Sequence, residues 1–493
     1  MPAVATQTRR DHGRARAGKA APALDLMRAP FLGALLRHPR IRLALQLPML
    51  ALAAVLVLHG LFGPALAPKN LATVVTWVHY RGLLVLALLA VGNLFCMGCP
   101  LLLPRELIRK FVQPVRRLPR ALRNKWLSIG LFVGVLFSYE LFDLWSSPAW
   151  TAALILCYFA SATLVDAFFE RASFCKYLCP VGQFNFAAST LSPLEVKVRD
   201  HGVCGTCRTK DCIRGRRDPE QPARVTRRGC ELDLYLPHKV GNLDCTFCLD
   251  CVHACPHDNV ALATRVPGEE LATDPLRSGI GRLSKRPDLS VLVVVFAFGA
   301  LLNAFGMVSP VYAFQSWLAE RMGTTSEAAV LGVLFTLGLV VEPLVLLGLA
   351  GSIALRLGRS ERGLLQHTAR FAFTLAPIGM GVWAAHYSFH FLTGLWTFVP
   401  VAQAAAADLG VAFLGKPDWG RGGLTDAWVQ PIELGLLLLG LAGSVAVTVR
   451  MAREEFRSSP ARGAAPWIAL HVLMFVAAVW LLAQPMEMRG TFL

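Results

Sequence analysis

The sequence predicts an all-α polytopic membrane protein of about nine transmembrane helices, broken once by a polar, cysteine-rich insert. Three observations carry this. The 493 residues are 55% hydrophobic, too apolar for one soluble domain. Uncharged apolar runs of roughly 20 residues recur along the chain, the length that crosses a hydrocarbon core of ~30 Å. Most of the thirteen cysteines fall in the one long stretch without such a run. The formal charge of +17 reads first as a topology signal and not as nucleic-acid binding.

Residues 1–41, rich in Arg, Ala and Gly, read as a basic cytoplasmic tail. Arg9-Arg10 is followed by Asp-His-Gly and more than twenty further residues before any long apolar run, a poor twin-arginine signal. Residues 42–170 hold four spans, at about Arg42–Leu61, Leu71–Cys96, Leu127–Leu144 and Trp150–Phe169. Between the second and third, Arg105–Lys125 carries eight Lys or Arg against the single acid Glu106, the mark of a cytoplasmic flank. Residues 171–288 form the soluble insert. Residues 289–493 hold five further runs, at about Leu289–Val308, Ala328–Leu349, Phe371–Leu392, Trp428–Val447 and Trp467–Leu482. With the tail inside, Arg356, Arg359, Arg362, Arg370, Arg450, Arg453, Arg457 and Arg462 all fall on the cytoplasmic side. Only Lys69, Arg321, Lys416 and Arg421 mark the outer loops. The expected placement is a bacterial inner membrane in contact with lipid, with the insert cytoplasmic and the C-terminus periplasmic. A reducing compartment also suits unpaired thiols.

Cys245, Cys248, Cys251 and Cys255-Pro256 have the spacing of a [4Fe–4S] ligand run, three thiolates at steps of three and a fourth before proline. Zinc knuckles pair two C-x-x-C units instead, so iron–sulfur is favoured over zinc. A second set is Cys204, Cys207 and Cys212, with Cys230 after a basic insertion. On a two-cluster ferredoxin pattern the fourth ligands swap. Cys255 then joins Cys204, Cys207 and Cys212, and Cys230 joins Cys245, Cys248 and Cys251. The insert is thus expected to be an α+β ferredoxin-like domain with two [4Fe–4S] clusters. The third set, Cys96-x2-Cys99-Pro100 and Cys175-x3-Cys179-Pro180, lies at the inner ends of spans two and four. Two readings stand side by side there: a shared cluster or metal at the membrane surface, or free thiols at helix ends. Cys157 is alone in mid-span and reads as packing.

These motifs resemble the membrane polyferredoxins of the NapH/NosR/CcoG type. The match rests on Cys175–Pro180 and Cys245–Pro256, with Cys96–Pro100 a shortened version, and covers roughly residues 75–265. The resemblance implies electron transfer between quinol or reduced carriers and a maturation or reductase partner. It does not reach residues 289–493.

Ionisable side chains inside spans are functional candidates because burying them is costly. His79, Arg81, His386, His390 and Glu433 are the expected quinone or haem site in the outer halves. His386 and His390 stand at i, i+4 on one helix face and cannot clasp one haem between them. Packing or quinone contact is favoured over haem. Glu140 and Asp143 lie in outer halves, and Asp166, Glu342 and His471 in inner halves. In the insert Arg208, Lys210, Arg214, Arg216, Arg217, Arg224, Arg227 and Arg228 suit an acidic soluble electron carrier, or equally a solvated loop near anionic lipid.

The functional expectation is membrane-bound iron–sulfur electron transfer between a cytoplasmic carrier and quinone or a respiratory enzyme. The alternatives are a metal-reducing assembly factor for a respiratory enzyme and a non-catalytic redox sensor or scaffold. A transporter is disfavoured because no matched pair of broken helices is seen.

Overall fold

A computed structural model describes residues 24–112, 114–221, 225–411 and 413–486. The first part of the basic tail and Arg224 lie outside the described residues. Among the described residues seven helices are long and apolar enough to cross a membrane. They are α1 (Ile41–Phe62), α2 (Leu71–Val91), α4 (Pro148–Phe168), α9 (Pro287–Phe305), α10 (Glu327–Gly358), α12 (Asp426–Glu455) and α13 (Pro460–Leu482). The chain is a multi-pass membrane protein.

The other two expected spans are also helices, of a different kind. Helix α3 (Trp126–Leu141) has 16 residues, and at ~1.5 Å per residue it reaches about 24 Å, short of the hydrocarbon thickness. Helix α11 (Ala376–Thr393) is less apolar than the seven, and every residue from Ala376 to Ser388 is buried by protein. A helix wrapped by other helices needs no lipid-facing surface, so it tolerates two histidines. Its approach to α12 depends on small residues. A Cβ on Gly381 would stand 3.0 Å from the Leu436 carbonyl, and one on Gly440 would stand 2.9 Å from that of Pro377.

Ten residues after Cys179 form α5 (Pro180–Ser189), which the sequence reading placed in the polar insert. It starts on a proline, suited to the first helical position, and its cap is sulfur: the Gly182 N–H donates to Cys179 Sγ at 3.2 Å. Too short and too polar to span, it is nonetheless buried in the helix core. Phe184 meets Phe296 of α9 at 5.1 Å and Trp383 of α11 at 5.4 Å between ring centroids. The same core continues without a break into the insert through Leu232, Leu234, Leu243 and Leu271.

The insert is built from two antiparallel pairs and short helices. Strand β1 (Leu194–Val198) pairs with β4 (Val260–Thr264), Leu194 opposite Thr264 and Val198 opposite Val260. Between them lie α6 (His201–Thr206), α7 (Asp211–Arg214), β2 (Arg216–Arg217), β3 (Val225–Arg227) and α8 (Asp250–Ala254). β2 pairs with β3. Alternate residues of β1 point inward, as the period of two requires. Closing β1 on β4 brings together two stretches of the insert more than sixty residues apart in the chain.

Charge fixes the insert to the membrane helices. Arg105 is buried and reaches Asp166 of α4 at 3.4 Å and Glu231 of the insert at 2.8 Å. Arg109 adds Glu231 at 3.3 Å, and Arg42 of α1 holds Asp250 at 3.2 Å. Lys125, buried at the start of α3, contacts Asp244 at 2.7 Å. Part of the basic stretch Arg105–Lys125 therefore faces acids of its own chain and not lipid phosphate.

Candidate functional site

The folded insert sorts its eight cysteines into two groups that cross the sequence order. Asn259 joins the first: its backbone N–H donates to Cys255 Sγ at 3.4 Å and its Nδ2 to Cys204 Sγ at 3.3 Å. The Cys212 thiol lies close enough to those of Cys255, Cys204 and Cys207 to be raised by their charge. In the second group, Cys248 and Cys251 each feel Cys230, and Cys251 and Cys230 both feel Cys245. Cys255 thus sits with Cys204, Cys207 and Cys212, and Cys230 with Cys245, Cys248 and Cys251. Burial pushes the Cys212 and Cys230 thiols up to about 11, with neighbouring thiols adding to the shift. Such thiols release protons when a metal takes them.

The backbone around these sulfurs suits bound thiolates. Asp244, Phe247 and Leu249 all have positive φ, between 51° and 60°. For a bulky Phe or Leu that conformation is strained and needs support. The support is packing, since Phe247 and Leu249 are each 1% exposed. Among the described residues one backbone N–H in the insert reaches sulfur directly, that of Asn259 at Cys255 Sγ at 3.4 Å. Consecutive N–H groups in turns of positive φ form anion-binding hollows. Among the described residues no three His, Cys, Asp or Glu converge as a single ion requires. A four-iron cube is a larger body held from its corners. The donors on sulfur and the strained loops are what that group needs, so the residues fit it.

The loop is seated on the membrane helices. Asn93 donates to the Cys245 carbonyl at 3.0 Å. Gly92, with φ of 68°, lies under the Phe247 ring, which a Cβ there would meet at 2.8 Å.

The third set also comes together. Cys99 and Cys179 lie within electrostatic reach of each other and of both Cys96 and Cys175. They sit among α1, α2, α4 and α5, close to the end of α4, where the Phe174 N–H donates to Asp166 at 2.9 Å. Cys157 is exposed on α4.

At the end of the bundle opposite the insert lies a cavity of about 320 Å³. Trp77, Arg81, Tyr139, Trp145, His390 and Trp419 are among its lining residues. A π-helical stretch, Val74–Tyr80, carries Trp77 and sets Arg81 just beyond it. Such insertions often mark functional sites. The Arg81 guanidinium donates to the Trp77 carbonyl at 2.9 Å and to Tyr139 Oη at 3.4 Å. Its centre lies 4.6 to 5.3 Å from the ring centroids of Trp77, Tyr139 and Tyr387. Neither ring nitrogen of His390 or His386 has a hydrogen-bond partner among the described residues, and both histidines are buried. Their rings stand edge to face at 4.9 Å.

The five residues expected at this site divide. Arg81 and His390 line the cavity and His386 backs His390. His79 is held elsewhere, its ring nitrogens 3.1 Å and 3.3 Å from the Val74 and Leu395 carbonyls. Glu433 is buried on α12 and is not among the cavity-lining residues. Sequence reading missed Trp77, Tyr139 and Tyr387, because aromatic residues in a span carry no signal of their own. Asn259 was legible only as the fourth residue after Cys255.

No family model matches the chain, and no solved structure matches it. The chain is similar to an Escherichia coli (strain K12) protein named "Putative electron transport protein YccM", with 31% identity over 108 residues. The match covers 22% of this chain and 25% of that relative, a quarter of its length.

Proposed function

We propose that the protein is a membrane-bound iron–sulfur electron-transfer protein. Its insert holds one [4Fe–4S] cluster on Cys204, Cys207, Cys212 and Cys255 and a second on Cys230, Cys245, Cys248 and Cys251. The observation that carries this reading is the crossed grouping of the eight thiols, with Asn259 bonded to sulfurs from both ends of the insert. The printed name of the E. coli relative supports it over the stretch that is similar. When bound, each cube supplies one-electron transfer. The chain's own residues do the rest. Asn259 holds charge on sulfur, Phe247 and Leu249 exclude water, and Asn93, Arg42 and Lys125 fix the loop against the helices.

The electron partners are a cytoplasmic carrier on the insert side and a quinone, or a respiratory enzyme, on the membrane side. Arg81 and His390 supply donors to quinone oxygens, and Trp77 a flat apolar wall. The expected orientation is an inner-membrane protein with the insert cytoplasmic.

The test is isolation without oxygen. Iron, acid-labile sulfide and paramagnetic resonance signals of cubes in the insert are expected, and zinc without sulfide overturns the reading. For the membrane side, His390→Ala is expected to slow reoxidation of the reduced protein by a quinone analogue about ten-fold, the order of one lost hydrogen bond. His79→Ala is expected to leave that rate unchanged. Equal rates in wild type and His390→Ala remove quinone from the cavity.

A further inference from the structure

The four thiols outside the insert lie inside the helix bundle. The chain turns back after α2 into a short helix, Leu94–Met97, that carries Cys96. Its Met97 carbonyl accepts from Gln46 of α1 at 3.1 Å. The Phe95 ring reaches Tyr80 of α2 at 5.3 Å. From the other side Cys175 and Cys179 lead into α5, and Cys179 packs with Tyr158 and Ala162 of α4. Tyr158 stands eight residues from Asp166, roughly 12 Å along the helix at its ordinary rise. Cys179 therefore packs about one to two turns along α4 from Asp166, while Cys175 follows Phe174, whose N–H donates to Asp166 at 2.9 Å, and so stands at the charged girdle itself.

Free thiols buried in an apolar bundle need no polar escort, and these have one. Asn185, 1% exposed, donates from Nδ2 to Cys96 Sγ at 3.4 Å. The Gly182 N–H donates to Cys179 Sγ at 3.2 Å. The Leu101 N–H faces Cys99, as do the guanidiniums of Arg42 and Arg105. A thiol is a weak acceptor, so a buried amide aimed at one gains little, whereas a metal-bound thiolate rewards it. Asn93 donates to the Cys245 carbonyl at 3.0 Å while its own carbonyl accepts from the Cys96 N–H at 3.1 Å, and Arg42 lies near both Cys248 and Cys99. The set is thus adjacent to the inner group of the insert.

From this geometry we propose that Cys96, Cys99, Cys175 and Cys179 bind a third [4Fe–4S] cluster within the bundle. It rests on the electron-transfer reading above and places a one-electron carrier among the helix ends, between the insert and the aromatic cavity at the far end.

The full-length protein, isolated without oxygen, is expected to hold about twelve iron atoms per chain, four per cube. The double variant Cys96→Ser, Cys179→Ser is expected to lose about four of them with the signals of the insert unchanged. The control Cys157→Ser is expected to lose none. Asn185→Leu keeps all thiols and is expected to shift the midpoint potential of one cluster signal only, which remains readable if the double variant fails to fold. Wild type and double variant with equal iron and sulfide, copper or zinc at this set, or Asn185→Leu with every potential unchanged, each overturn the third cluster. Two insert signals with only about eight iron atoms sink this proposal alone. Absence of the insert signals in wild type sinks the parent reading.

Discussion

Replacing Cys255 with Ala is expected to erase the same cluster signal that Cys204→Ala erases, and to spare the one that depends on Cys251. The expectation runs against the sequence, where Cys255 is four residues from Cys251 and fifty-one from Cys204. It follows from Asn259, whose two nitrogens reach Cys255 and Cys204 together, and from Cys230 lying with Cys245, Cys248 and Cys251. Each variant should lose about four iron atoms, one cube. Resonance spectra of the two single variants and of the double variant decide it. If Cys255→Ala removes the Cys251-dependent signal instead, the ligand sets follow chain order and the crossing fails. Cys230→Ala is the mirror case and should match Cys251→Ala.

The second large effect is expected at Arg105. This guanidinium is 1% exposed and stands between Asp166 and Glu231, joining a membrane helix to the insert. Arg105→Leu takes from buried Asp166 its ion-pair partner and leaves Glu231 with Arg109 at 3.3 Å as its remaining contact. Breaking a buried pair from one side costs on the order of 3–5 kcal/mol, enough to lower the melting temperature in detergent by many degrees. Arg105→Lys keeps charge but loses the fork that spans two acids, so it should recover only part of the loss. The pH dependence follows from Glu231. Burial alone would raise this carboxyl, but Arg105, Arg228 and Arg42 override it and hold it down at about 2. A carboxyl depressed in the folded state stabilises it above its unfolded value of about 4.3. That contribution fades as pH falls from there towards 2. Wild type should therefore lose stability across this window, and Arg105→Leu should show a smaller loss. Equal acid sensitivity in both would show that Glu231 does not need Arg105.

Much of this was legible in the sequence because its physics is local. The apolar runs announce helices, and seven are long and apolar enough to span. The cysteine spacings announce which loops gather thiols. What sequence could not give depends on partners far apart in the chain. Pro180–Ser189 reads as polar because of Gln183 and Asn185, yet Asn185 is buried against Cys96, eighty-nine residues away. The basic stretch Arg105–Lys125 reads as a cytoplasmic flank and no more, yet Arg105 and Lys125 meet Glu231 and Asp244. His79 reads as a site residue because it is ionisable within a span, yet two carbonyls hold its ring. Composition sees the cost of burying a polar group but not the group that offsets it.

The pairing of β1 with β4 has a consequence for biogenesis. During translation α1 to α4 leave the ribosome and can enter the bilayer well before residue 260 is made. Leu194–Val198 then waits for Val260–Thr264, and Cys204, Cys207 and Cys212 wait for Cys255. A nascent chain halted before β4 carries an incomplete thiol set beside the translocon. Closure of that thiol set must therefore follow synthesis of β4, when the lobe already hangs from four helices.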